Sequence, residues 1–559
     1  MTSLLASMWL PSGEDLIRFA PELALVGTLA VLLTVPLVIG RSSIVAGRIA
    51  MVGVVATLLL AITVGRRAID GGLSGLAPPA AGGMLILDNL TVYFKAVLML
   101  FLAGTIVLWF IISADTEQHG TEFFVLLLGS ALGMVLMTAT LNLLMIVVAI
   151  ELASLPSYAI VGFDKHNRKA AEASLKYAIF GAVSAAIMLY GVSLIYGLYH
   201  TLNMTEIAPR LVTHLASGHN VFTIGIALVL VLGGIAFKIA AVPFHFWCPD
   251  AFEGARIEVT TWLSVSSKAA ALLLLLRLVD ALSGAAAAQG VVLNALTGLA
   301  WVIGLMAAVT CTWGNFAAYR QDNVKRLLAY SSIAHAGYML MAAAVFAHPA
   351  SVRADHSPIA AVLVYLLVYA VMNLGAFTVV AVVAKATGSE SLSAFNGLGR
   401  RSPWLGVAMV MCLVSLVGLP PFGGFIAKLW LLLALGSQGG TLCWLLILVA
   451  VGNTLISLFF YFRIVRAMYL FDDRQPSFSA PVPGIALVNL CAVALLLLGV
   501  LFINRPKLIA DRYARNLFAQ RPAGFVQRPL DRNDGIDPGT AVVRADEASS
   551  TDGPSAKRR

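Results

Sequence analysis

Charge is what this sequence has least of. Asp, Glu, Lys and Arg make up 12% of its 559 residues, and hydrophobic residues make up 60%. A soluble domain carries about twice that charged fraction, so an ordinary water-facing surface is excluded. Cysteine is also scarce: Cys248, Cys311, Cys412, Cys443 and Cys491 are the five. None forms a C-x-x-C pair, so the common zinc and iron–sulfur spacings are missing, and most lie in apolar runs as small buried hydrophobes. There is no Walker-type phosphate loop, no dinucleotide fingerprint after a strand, no flavin motif and no evident haem-ligand pair. No metal or cofactor is therefore expected on this chain. A cleavable leader is not evident in Met1–Ser12, whose apolar run is short, lacks a basic start and meets Pro11. The sequons at Asn89 and Asn203 read as chance matches.

What the sequence has is long apolar runs. A helix needs about 20 apolar residues to cross the hydrocarbon core. That criterion predicts fourteen spans, near 20–40, 46–64, 91–113, 122–139, 141–163, 172–198, 222–247, 258–279, 291–313, 323–347, 358–386, 404–435, 440–467 and 484–503. The weakest boundary is the turn at Thr138–Asn142 between spans four and five. The net charge of +9 does not indicate nucleic-acid binding, because the basic residues fall mainly between spans and in the tail. One loop set, including Arg41, Arg48, Lys165, Lys169, Arg256, Lys325, Arg400, Arg463 and Arg474, is richer in Lys and Arg. The other holds Arg18, Arg66, Arg67, Arg210, Arg277 and Arg353. The richer set is placed in the cytoplasm, and an even span count then puts both termini outside. The tail is polar, basic and rich in Pro, Asp and Arg, the composition of a disordered end.

Two spans are abnormal. Span seven reads GGIAFKIAAVPFHFW, with Lys238 before Pro243, and span twelve reads GLPPFGGFIAK, with Pro420 and Pro421 before Lys428. Proline breaks or kinks a helix, and broken backbone at membrane depth needs protein or a water-lined cavity around it. Two broken helices five spans apart suggest two five-helix repeats, and an odd number of spans per unit would invert one against the other. The expected architecture is an all-α polytopic membrane protein. Its segments are residues 1–120 with the first three spans, 121–285 and 286–470 with one repeat each, 471–510 with the last span, and the tail 511–559.

An ionised group at mid-bilayer costs at least about 2.5 kcal/mol, so each one needs a partner, water or a function. Glu151, Lys238, Lys268, His335 and Lys428 lie inside predicted spans, and Lys176 lies near the start of one. Glu151 shares a helix face with Ser154 and Tyr158, and Lys238 is its expected partner. At about 5 Å and an effective dielectric near 20 such a pair attracts by about 3 kcal/mol. Thr260 and Ser264 stack on the face of Lys268, and Ser331 and Tyr338 on that of His335, a residue suited to a relay because it titrates near neutral pH. Lys176 sits where a long side chain can reach the interface. His245 is a second relay or a cap for the Pro243 break. Glu22, Asp88 and Lys95 lie near span ends and read as interfacial. The row of acid, bases and histidine suits lateral proton transfer.

These residues stand in stretches that resemble the antiporter-like membrane subunits of respiratory complex I over roughly residues 80–470. The stretches are the Glu151 segment, EASLKYAIFGAVSA, FKIAAVPFHFWCPDAFEGA, SSKAAA, NVKRLLAYSSIAHAGYML and GLPPFGGFIAKLWLL. Lys428 stands where one of the three sister subunits usually carries Glu, and the tail lacks the long lateral helix of another, which leaves the N-type sister. The resemblance implies a fourteen-helix fold with two inverted five-helix bundles. It implies a Glu151–Lys238 pair tuned by Lys176, central relays at Lys268 and His335, and an exit-side Lys428. NADH, FMN, iron–sulfur clusters and quinone would belong to other subunits of the complex, whose redox energy this chain uses. Its partners would be those membrane subunits, above all the antiporter-like sisters, with lipid around them in a bacterial plasma membrane. A multisubunit cation/proton antiporter shares this fold and is the alternative.

Overall fold

The apolar runs all become helices. The structure, a computed structural model, describes residues 13–69, 84–115, 117, 119–290, 294–347, 357–471 and 481–503. Met1–Ser12, Arg353, Arg474 and the tail after Ile503 lie outside the described residues. In chain order the helices are α1 (Gly13–Arg18), α2 (Ala20–Ile39), α3 (Ser43–Ile69), α4 (Asn89–Ile112), α5 (Gly120–Thr138), α6 (Leu143–Val161) and α7 (Arg168–Tyr199). There follow α8 (Met204–Ala216), α9 (Val221–Ile239), α10 (Trp247–Gly254), α11 (Ile257–Ala288), α12 (Asn294–Ala318) and α13 (Val324–Phe346). The last are α14 (Ser357–Thr387), α15 (Leu398–Arg401), α16 (Pro403–Val417), α17 (Gly423–Gln438), α18 (Gly440–Leu470) and α19 (Val482–Ile503).

Thirteen of these are long and apolar enough to cross a membrane. The remaining predicted span, 404–435, is divided between α16 and α17. Polar caps set the ends within the apolar background. The Asn142 side chain accepts from the amides of Leu144 and Met145, which starts α6 and fixes the weak Thr138–Asn142 turn. Asn167 and Asn323 cap α7 and α13 in the same way. Each cap satisfies amides that have no partner inside the helix.

Three helices occupy the middle of the bundle. The most apolar windows of α11, α13 and α14 are 89%, 94% and 83% buried, against 33% for α7 and for α18. A helix apolar all round belongs at such a centre, and Lys268 and His335 ride on two of these three.

Several expectations need correction. Span seven ends at Ile239, earlier than its apolar run suggests, and a turn leads into the separate helix α10. The amphipathic α8 was not foreseen. It buries Met204, Ile207, Ala208, Leu211 and Val212, a pattern at helical spacing too short for a span. Arg277 is not a loop residue: it lies inside α11, 2% exposed. Glu22, Lys95 and Asp88, near span ends as expected, are not free groups but members of buried ion pairs. Lys95 pairs with Glu22 at 2.5 Å, and Arg277 with Asp88 at 2.7 Å, all four buried by neighbouring helices. Composition near a span end does not reveal a partner far away in sequence.

Candidate functional site

Each broken helix presents a lysine at its break. In the first half, α9 stops one residue past Lys238, and Ala240 takes the left-handed conformation at φ 61°. The Phe237 carbonyl accepts from the Ala240 amide and also from the Trp247 indole N–H at 3.0 Å, and the Val242 amide donates to Thr310 Oγ1 at 2.9 Å. Lys238 lies in the last turn of α9, where the carbonyl end of a helix favours a cation. In the second half, α16 ends at Val417, and Lys428 reaches back from α17 to donate to the Val417 carbonyl at 2.8 Å. The glycines of GLPPFGG permit this. Gly418 sits at φ 86°, and a Cβ there would stand 2.7 Å from Lys428 Cδ. A Cβ on Gly424 would stand 1.8 Å from the Ser415 carbonyl oxygen, so α17 could not fold back along α16.

Between the breaks runs a continuous set of rings and polar groups. Glu151 lies half-buried on α6, and the Ser154 hydroxyl on its face donates to the Ile150 carbonyl at 2.5 Å. Tyr158 meets Tyr177 edge-on at 4.6 Å, and Tyr177 stacks on Trp247 at 4.1 Å with 7° between planes. Lys238 Nζ lies 5.9 Å from the Tyr177 ring centre. Glu151 and Lys238 are within electrostatic range of each other but form no direct ion pair among the described residues. Lys268 Nζ sits 4.8 Å from the Phe252 ring centre and donates to Cys248 Sγ at 3.5 Å. Thr260 and Ser264, on the same face of α11 as Lys268, donate to the carbonyls of Phe252 and Thr261. His335 is held at both nitrogens, by the Tyr365 hydroxyl at 2.8 Å and the Tyr461 hydroxyl at 3.3 Å, and Tyr461 bonds in turn to Ser331. Lys428 Nζ lies 4.5 Å from the Tyr338 ring centre, which closes the row.

Two candidates stand apart. His245 packs its ring on Phe246 and Trp313 beside the break. Lys176 is partly exposed and pairs with Glu172 at 2.7 Å and with Asp250 at 2.9 Å. Asp250 also accepts from Arg326 at 2.7 Å, and Glu253 accepts from Arg326 at 2.8 Å and from Lys169 at 3.2 Å. These pairs tie α10 to the starts of α7 and α13. Burial works against both carboxylates. The Lys176 and Arg326 bonds to Asp250, and the Arg326 and Lys169 bonds to Glu253, outweigh it and hold both below their ordinary ranges.

A carboxyl held below its ordinary value stabilises the fold above that value and loses the contribution as pH falls through the lowered one. Asp250→Asn should therefore speed amide exchange in α10 about five-fold at pH 7, equivalent to about 1 kcal/mol for a partly exposed pair. The gap should persist at pH 5 and close only below about pH 4. Equal exchange at pH 7 would show that these pairs do not hold α10.

Sequence reasoning missed Tyr177, Trp247, Tyr365 and Tyr461, and read Cys248 as an inert hydrophobe. The readable signal was aromatic residues with polar atoms placed deep in spans, where each polar atom needs a partner.

The family pattern described as "NADH:quinone oxidoreductase/Mrp antiporter, TM" matches residues 140–457, from just before α6 into α18. The chain is 39% identical over 521 residues to NADH-quinone oxidoreductase subunit N of Anaeromyxobacter sp. (strain Fw109-5), covering 88% of this chain and 96% of that one. It superposes on a chain of respiratory complex I from Thermus thermophilus with a TM-score of 0.69 and 29% identity, covering 88% and 98% of the two. A chain of the Mrp complex from Dietzia sp. DQ12-45-1b gives a TM-score of 0.74 at 19% identity, over 92% and 98%, and shows the shared fold alone. The class is thus the antiporter-like polytopic membrane subunit. Within it, the chain belongs to the subunit N family of NADH-quinone oxidoreductase, the proton-translocating respiratory complex I. It is a multi-pass membrane subunit that works among the other subunits of that complex.

Proposed function

We propose that the chain carries protons through the membrane along Glu151, Lys238, Lys268, His335 and Lys428, in two inverted five-helix halves that meet near α11 and α13. One contrast carries this reading. The buried cations Lys95, Arg277 and Lys325 each have a carboxylate within 2.7 Å. Lys238 and Lys268 are at least as deeply buried, and Lys428 is buried too, yet none has an ion pair among the described residues. A buried ammonium with no counter-ion is costly. The cost makes sense where the group must release and regain its proton. Aromatic faces and single neutral acceptors hold these amines without fixing their charge.

In this reading Lys176 modulates the Glu151–Lys238 end through Asp250, and His245 supports the first break. NADH oxidation and quinone reduction take place in other subunits, which hold the FMN, the iron–sulfur clusters and the quinone. The protein lies in a bacterial plasma membrane, with the Lys- and Arg-rich loops in the cytoplasm and both termini outside.

Lys428→Ala tests the far end of the row. In vesicles containing the whole complex, protons pumped per NADH oxidised should fall about five-fold or more while the complex still assembles, because the lost bond to the Val417 carbonyl is worth only about 1.5–3 kcal/mol. An assembled variant that pumps at the parent ratio would remove Lys428 from the path.

A further inference from the structure

The weakest-looking contact in the row lies at its middle. Lys268 is 1% exposed, and its one hydrogen-bond partner among the described residues is the thiol of Cys248, also fully buried. Cys248 sits on α10 directly after Trp247, and it faces α13 as well, with its sulfur 4.0 Å from Ser332 Oγ. The Ser332 hydroxyl donates to the Ala329 carbonyl at 2.7 Å, which leaves its oxygen able to accept from the thiol. The thiol therefore accepts from Lys268 and donates to Ser332. The Tyr369 hydroxyl donates to the Ser264 carbonyl on α11 at 3.5 Å, and its ring tilts over His335 at 5.0 Å. Lys268 and His335 stand on different helices, and Cys248 places the Lys268 amine against α13, the helix that carries His335.

We propose that Cys248 is a positioning residue for proton transfer, holding the Lys268 ammonium at the junction of α10 and α13 so that it faces the His335 cluster. The inference rests on the proton-path reading above. The chemistry of sulfur suits the task. A carboxylate here would lock the ammonium, as Asp88 locks Arg277. A methyl group would leave it on the aromatic faces of Phe252 and Trp247 with nothing to set its direction. A thiol is a weak acceptor and a weak donor, so it orients the amine without fixing its charge.

The test ranks two substitutions that a packing role and a positioning role order oppositely. Cys248→Val keeps an apolar side chain, one heavy atom larger, and removes the polar atom, whereas Cys248→Ser keeps an acceptor and a donor at the expense of apolar packing. The readout is the initial rate of NADH-driven acidification by vesicles carrying the whole complex, normalised to the assembled complex on a native gel. Cys248→Val should lower the rate about five-fold, and Cys248→Ser should restore it to within about two-fold of the parent. A Val variant as fast as the parent, or a Ser variant no faster than Val, overturns the proposal. If Val blocks assembly, Cys248→Ala takes its place in the same comparison. Lys268→Ala separates the two levels of the argument. If it pumps normally, the path through Lys268 is wrong. If it loses pumping while Cys248→Val does not, only the role of Cys248 is wrong.

Discussion

Glu151→Gln and Lys238→Ala should each yield an assembled complex whose protons pumped per NADH oxidised fall about ten-fold or more. The two groups lie within electrostatic range with no direct bond between them. If the two groups approach to about 5 Å, an effective dielectric near 20 gives an attraction of about 3 kcal/mol, enough to change the proton affinity of either partner about a hundred-fold. Glu151→Gln keeps the shape and deletes the charge, so the lysine loses the carboxylate whose field favours its protonated form. Lys238→Ala deletes the next carrier. Assembly should survive both changes. Glu151 is only half-buried, and Lys238 Nζ makes no hydrogen bond among the described residues that the fold would miss. Native gels establish assembly, and acidification against NADH consumption gives the ratio. An unchanged ratio in either assembled variant would refute that residue's place in the path.

The parts of this picture that were legible in the sequence were local. Apolar length marked the spans, Pro243 and the Pro420–Pro421 pair marked the breaks, and ionisable residues inside apolar runs marked the row. What the sequence hid was pairing across the chain. Arg277 and Asp88 are 189 positions apart, and no periodicity links them. The Lys268–Cys248 contact was hidden for a different reason. Cysteine in an apolar run is most often a small hydrophobe, and only the turn of α10 back against α11 and α13 shows that this sulfur has polar neighbours. Tyr365 and Tyr461 became visible as partners of His335 only when α14 and α18 were placed beside α13. Residue type and depth thus name the candidates for proton chemistry, while the choice between a locked and an unlocked cation needs the fold.

That choice gives the second large effect. Arg277 makes two bonds to Asp88, at 2.7 and 2.9 Å, and a third to Thr91 Oγ1 at 2.9 Å. Asp88 also caps α4, accepting from the Thr91 amide at 2.9 Å and the Thr91 hydroxyl at 2.7 Å. The pair therefore fastens the start of α4 to the central helix α11. Removing one partner leaves a buried charge without compensation, at a cost of about 3–5 kcal/mol, and losing the cap adds about 1 kcal/mol. Domain stabilities of about 5–15 kcal/mol leave little margin for that loss. Asp88→Ala and Arg277→Met should each lower the yield of assembled complex about ten-fold or more. The double variant Asp88→Asn with Arg277→Met should recover most of it, because the amide oxygen still caps α4 and neither charge remains. The recovered complex should also pump at the parent ratio per NADH, since a locked pair has no proton to pass on. Single variants as abundant as the double would show that the pair is not a fastening. A double variant that assembles but does not pump would move Asp88 and Arg277 into the proton path and break the distinction between locked and unlocked cations on which the path rests.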